Sequence, residues 1–281
     1  MSDRTDNTIR PEDYAEPRCV LCDEPYGAEP DVRPIPQQRV LQKVDECMSR
    51  RDYAGVERTL DYWLEEAKLG HDKRGQLMLH NEYIGHFRKI GNKAKAMEHI
   101  DAALPLLDEL HFEGSVSAGT TYTNAATACN AFEENERAID LFEKARAVYE
   151  SSTRTDPKLL GGLYNNMALT LTDLKRFDEA WSLYEHALAV MGKVPSGELE
   201  QAITYLNMAD LHYVQSGTGL VDDDIENYLE QAWALLNTET LTRDGYYAFV
   251  CEKCAPTFDW YGEEERAQDL TRRSEDIYER T

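Results

Sequence analysis

Apolar residues in this chain recur at helical spacing and come in paired runs. From Leu163 to Leu188 the sequence LYNNMALTLTDLKRFDEAWSLYEHAL reads as two antiparallel helices. The pattern predicts the first helix over Leu163–Leu174, a turn at Lys175-Arg176-Phe177, and the second helix from Asp178. Ala168 marks the middle of the first helix, and Ala180 and Ala187 mark the second. Small side chains at such places let helix axes approach to about 8–10 Å. Two helices alone leave their apolar faces uncovered, so a unit of this kind implies neighbours.

The same three-position frame recurs along the chain. It falls on Val44, Val56 and Trp63, then on Ile84, Ala96 and Ala103, and then on Ala126, Ala138 and Ala145. After Ala168, Ala180 and Ala187 it continues with Ala209, Ile225 and Ala232, and ends with Ala255, Ala267 and Ser274. The middle members, at 56, 96, 138, 180, 225 and 267, step by 40, 42, 42, 45 and 42 residues. The first two members stand 12 apart in every set but the fifth, where they stand 16 apart. A fixed long period of this kind marks a helical solenoid. Trp63 fits an end repeat with less crowding, and the charged outer side of the segment Glu263–Arg280 fits the other end. Pro105 is expected to end or bend its helix, and Pro157 and Pro195 to fall in loops.

Tyr164-Asn165-Asn166-Met167-Ala168, together with the run Phe177–Leu188 (FDEAWSLYEHAL), resembles tetratricopeptide (TPR) repeats, and most of all the long repeats of kinesin light chains. The resemblance covers about Pro36–Arg280. It implies an all-α α-solenoid of about six helix pairs wound as a right-handed superhelix, with first helices lining a concave surface that holds extended peptides. On that basis the peptide-binding residues are Asn81, Arg88, Thr123, Thr127, Asn130, Asn165, Thr172, Asp210 and Tyr213. Asn124, Asn166 and Asn207 recur two residues before the first small position of three consecutive repeats. Asparagine is a mediocre helix former, so its recurrence asks for a reason. Two readings stand: amides that bond to the adjacent repeat, or a ladder of amides for a peptide backbone. The Lys/Asn/Arg carboxylate clamp of chaperone-binding TPR domains is not reproduced.

Residues 1–35 stand apart as an arm, holding five of the ten prolines, and are expected to be extended or irregular. Cys19 and Cys22 form one C-x2-C pair there, and Cys251 and Cys254 form another far along the chain. Together they offer four thiolates for a zinc site, and the first pair alone offers a metal or redox role. The plainer reading is a pair of core thiols at i, i+3 on a helix and an idle CxxC. At Gln215–Asp224 the inserted QSGTGLVDDD lacks the spacing of a calcium loop and reads as a helix N-cap with acids at the dipole's positive end.

Charge narrows the function. Fifty-three acidic and 30 basic side chains give a net charge of −23. That disfavours nucleic acid and anionic membrane surfaces and suits neutral or basic partners. No run approaches the ~20 apolar residues of a membrane span, and the polar start MSDRTD has no leader-like apolar core, so a cytoplasmic chain is expected. The phosphate, zinc-protease and serine-hydrolase motifs are absent, and His80 and His86 stand six apart, off one helical face. The expectation is a non-catalytic binder of a protein or peptide, without cofactor or metal. The alternatives are a peptide-sensing regulatory domain of a bacterial signalling system, for which residues 1–35 are too short and proline-rich to add a helix-turn-helix, and the metal or redox role of Cys19 and Cys22.

Overall fold

Linkers of constant length set the architecture. The computed structural model describes Val20 and residues 31–280, which hold twelve α-helices and no strand. They are α1 (Gln37–Ser49), α2 (Tyr53–Leu69), α3 (Lys73–Lys89), α4 (Lys93–Glu109), α5 (Val116–Ala131) and α6 (Asn135–Ser151), followed by α7 (Pro157–Asp173), α8 (Phe177–Met191), α9 (Glu198–Ser216), α10 (Asp223–Leu236), α11 (Gly245–Trp260) and α12 (Glu264–Tyr278). In five of the six pairs, three residues join the helices: 50–52, 90–92, 132–134, 174–176 and 261–263. The central residue of each is left-handed: Arg51, Gly91, Glu133, Lys175 and Gly262. One linker length accounts for the twelve-residue spacing. In the fifth pair the linker is 217–222, three residues longer, which accounts for three of the four extra residues in the spacing there.

Aspartates start many of these helices. Asp52, Asp72 and Asp222 each accept a hydrogen bond from the amide three residues on, and Asp244 accepts from Tyr246 and Tyr247. Asp156 caps α7, and Pro157 opens that helix instead of lying in a loop. Its missing N–H is one that no helix start needs. The helix predicted from Leu163 therefore begins six residues earlier, and Phe177 belongs to α8, not to the turn. α4 runs four residues past Pro105 to Glu109, so the proline does not end it. At the α9–α10 link, Asp222 is the N-cap and Asp223 and Asp224 lie in the first turn, as the acidic run predicted.

The chain divides into two compact units, the first up to Ala128 and the second from Cys129, with the boundary inside α5. In the first unit α1 packs on α2, α2 on α3 and α3 on α4. In the second, α7 packs on α8 and α9, and α9 on α10 and α11. Every frame position is buried except Trp63, which is half-exposed. From the second to the fourth set all nine are fully buried. That burial removes about 25 cal/mol of apolar exposure per Å². The second unit's core gathers Leu206, Ile225, Leu229, Tyr247, Phe258 and Leu270 around these small residues.

Most of the proline-rich arm lies outside the described residues. The end of it is tied to the α2–α3 turn. The Arg33 amide donates to the Gly70 carbonyl at 2.8 Å, and the Ile35 amide donates to Asp72 at 2.9 Å. A Cβ at Gly70 would sit 2.4 Å from the Arg33 carbonyl oxygen, so only glycine admits this crossing.

Candidate functional site: the first-helix faces

Buried amides come first, because they decide which first-helix residues are free. In the first unit, Asn81 of α3 donates through Nδ2 to the Leu77 carbonyl at 3.0 Å and to Thr121 Oγ1 at 3.1 Å. Its Oδ1 accepts from Asn124 Nδ2 at 3.0 Å. The second unit repeats the arrangement. Asn165 Nδ2 reaches Thr204 Oγ1 at 2.9 Å, and Asn165 Oδ1 accepts from Asn207 Nδ2 at 3.3 Å. Thr121 and Thr204 donate their own hydroxyls back along their helices to Ser117 and Glu200. Each set is a closed clasp between consecutive first helices, α3–α5 and α7–α9. Asn81 and Asn165 are both only 7% exposed, with every polar atom bonded.

These two asparagines are therefore interior groups, not open contacts for a ligand. For Asn124 and Asn207 the inter-repeat reading applies, although the partner is a side chain of the neighbouring first helix and not a loop or helix end.

Of the other predicted residues Arg88 is exposed and the rest are half-buried. In the first unit Arg88 is exposed at the end of α3, and Thr123 and Thr127 are half-buried on α5. The two threonine hydroxyls donate to the Gly119 and Thr123 carbonyls, so each presents a methyl and an acceptor. In the second unit Asn130 donates to Asp173 at 2.9 Å and to Asn135 at 3.2 Å. Thr172 donates to the Ala168 carbonyl at 2.9 Å. Asp210 accepts from the Tyr261 hydroxyl at 2.8 Å, and burial holds its carboxyl above the usual range. Tyr213 meets Tyr261 edge-on at 5.9 Å. Asp210, Tyr213 and Tyr261 thus form one cluster where α9 meets the end of α11.

Three groups on these faces escaped the sequence reading. Phe249 of α11 is 50% exposed and stacks on Tyr246 at 6.2 Å. It stands six residues before Ala255, as half-buried Ile203 stands six before Ala209, so the repeat register pointed to it. Trp260, at the end of α11, is 71% exposed. Glu82 of α3 takes the place that Asn124 takes in α5, two residues before the first frame position, here Ile84. Burial, and then nearby Asp45, push the Glu82 carboxyl up to about 7.

Two groups have the composition of metal ligands. His212, Asp222 and Asp224 converge within 4.8 Å, but both aspartates are exposed, and Asp222 also caps α10 through the Ile225 amide. Cys251 and Cys254 are buried on α11, and burial pushes their thiols up to about 11 and about 12. At neutral pH they are protonated core groups, poor as nucleophiles and as ligands. Cys19 and Cys22 lie outside the described residues, and so does any site that includes them.

No protein-family model matches the sequence, and no curated protein matches it. Solved structures do match in fold. The apo quorum sensor NprR from B. thuringiensis superposes with a TM-score of 0.56 at 17% identity, covering 86% of this chain and 64% of that one. NprR in complex with its cognate peptide NprX gives 0.56 at 18%, covering 85% and 66%. A Podosopora anserina kinesin light chain with nearly identical TPR-like repeats gives 0.50 at 17%, covering 70% and 92%. The fold is the TPR-like α-solenoid, an array of helix pairs joined by short turns.

Proposed function

From this TPR-like fold we propose that the protein is a non-catalytic scaffold that binds a protein or an extended peptide on the faces of its first helices. One observation carries the reading. Polar and aromatic side chains that keep part of their surface open to solvent stand on consecutive first helices, and Arg88, Thr172 and Tyr213 share one repeat position, four residues after Ile84, Ala168 and Ala209. In the second unit these are Thr172, Asp210, Tyr213 and Phe249; in the first they are Arg88, Thr123 and Thr127. Buried clasps tie α3 to α5 and α7 to α9 beneath most of them, which lowers the entropic cost of binding. The peptide complex of NprR, on the same fold, supports a peptide as the ligand class. The net charge of −23, with Asp210 and Asp173 on the face, favours a neutral or basic partner over nucleic acid. A soluble protein of the cytoplasm fits the absence of any described helix long and apolar enough to cross a membrane.

A displayed library of random peptides tests the proposal. Peptides selected on the full-length chain should lose about tenfold or more in affinity, roughly 1.4 kcal/mol, with Tyr213→Ala or Phe249→Ala, or with Arg88→Ala if they bind the first unit. Tyr62→Ala, on the surface of α2, should leave binding unchanged. Failure to select any peptide, or equal affinity in all four variants, argues for another surface.

A further inference from the structure

The first and last described helix pairs line grooves of opposite charge. At the start of the first unit, α1 and α2 line a groove of about 500 Å³. Arg39, Lys43, Arg50 and Arg58 lie in or beside it. Lys43 pairs with Glu46 at 3.0 Å and Arg58 with Asp52 at 3.7 Å. Among the described residues Arg39 and Arg50 have no carboxylate partner, so the described part of this end carries two unpaired cations in a chain with a net charge of −23. At the end of the second unit, α11 and α12 line a groove of about 480 Å³ that holds Glu252, Asp259 and Glu275. Its one cation, Arg272, already pairs with Asp269.

The repeat itself shows what fills such a groove. Inside the second unit, the groove of α7 and α8 receives α9, the first helix of the next pair. After α12 no described helix follows, and no described helix precedes α1, whose Gln37 accepts from the Val20 amide at 2.8 Å. Arg39 and Glu46 of α1 are exposed at positions where the corresponding residues of α7 and α9, Leu163 and Thr170 or Thr204 and Leu211, are buried. Thr271 of α12 is likewise exposed where Leu60, Ile100, Phe142, Tyr184 and Leu229 are buried in earlier pairs. Contact between these two ends would therefore be polar and driven by charge.

We propose that copies of this chain associate head to tail, the α11–α12 groove of one copy receiving α1 of the next, with Arg39 and Arg50 set against Glu252, Asp259 and Glu275. The contact is heterologous, so each copy keeps one free end and assembly passes beyond a dimer unless it closes into a ring. Its strength follows ionic strength, because the pairs are at the surface and the Debye length falls from about 10 Å at 0.1 M to about 3 Å at 1 M salt.

Sedimentation velocity on the full chain, over a wide concentration range, tests this. The wild type should form species larger than dimers in about 0.1 M salt and become monomeric in about 1 M salt. Arg39→Glu with Arg50→Glu, and separately Glu252→Lys with Glu275→Lys, should each weaken self-association about tenfold or more, with thermal unfolding unchanged. An equimolar mixture of the two variants should associate again, because the reversed start of one meets the reversed end of the other. A wild type that stays monomeric overturns the proposal and leaves these grooves to residues 1–30 or to an unrelated protein. Variants that assemble like the wild type, or a mixture that stays monomeric, overturn it as well.

Discussion

Asn81 and Asn165 show where residue identity alone stops being informative. Each lies one place before the recurrent position of its repeat, which Glu82 fills in α3 and Asn166 in α7, and the TPR resemblance gives both the same groove-lining assignment. The deciding fact is non-local: a threonine about forty residues on, Thr121 or Thr204, supplies an acceptor. Removing the side chain should therefore act on stability. Asn165→Ala leaves the Asn207 amide without its acceptor and Thr204 without its donor, at a cost of about 1–3 kcal/mol in urea unfolding. The double variant with Thr204→Val should cost less than the two single losses added together, because the clasp is lost only once. Strict additivity would mean that the amide and the hydroxyl act separately. Phe249 was the more legible case, since the repeat register alone places it beside Ile203.

At the scale of the element, the fold was legible because two features recur, a small residue at most crossings and a three-residue turn in five of the six pairs. Ala180 is fully buried in α8, so Ala180→Leu must push neighbouring helices apart. The expected cost is about 1–3 kcal/mol, read as a lower melting temperature. An unchanged melt would place that position outside the packed interface. The turns were harder to locate because their left-handed centres are not uniformly glycine. Lys175 has φ 59° and Glu133 has φ 64°, a conformation that costs an L-residue about 1–2 kcal/mol. Glycine removes that strain and gives back about 0.5–1 kcal/mol in backbone entropy. Lys175→Gly is therefore expected to stabilise the chain by roughly 0.5–1 kcal/mol. Gly262→Ala, at φ 84°, should destabilise it by a similar amount. The helix boundaries missed by the sequence reading, Pro157 above all, were missed because a proline that ends one helix is also well suited to start another.

Across the whole molecule the dominant quantity is charge, and the pH response turns on where single groups depart from it. His80 and His99 share a hydrogen bond, Nδ1 to Nδ1 at 2.8 Å, between α3 and α4. Burial, and after it the neighbouring ring, drive His80 down to about 4. The unfolded chain then takes up a proton near the ordinary value of 6.5 that the folded chain refuses, so this pair loses stability as pH falls from 6.5 towards 4. Glu82 acts with the opposite sign. Its folded value of about 7 lies above the ordinary 4.5, so the folded chain keeps a proton that the unfolded chain releases. Stability from Glu82 is therefore present below 4.5 and is lost as pH rises through 7. The two slopes oppose one another in the same window, and a wild-type profile alone cannot separate them. Glu82→Gln separates them, because the amide needs no proton and keeps the size of the side chain. The variant should melt higher than the wild type above pH 7 and show a much smaller difference near pH 4.5. An equal difference at both values would mean that Glu82 carries its charge in the folded chain at ordinary carboxylate pH. The Asp45 charge beside it would then be screened by water and not felt across a buried face.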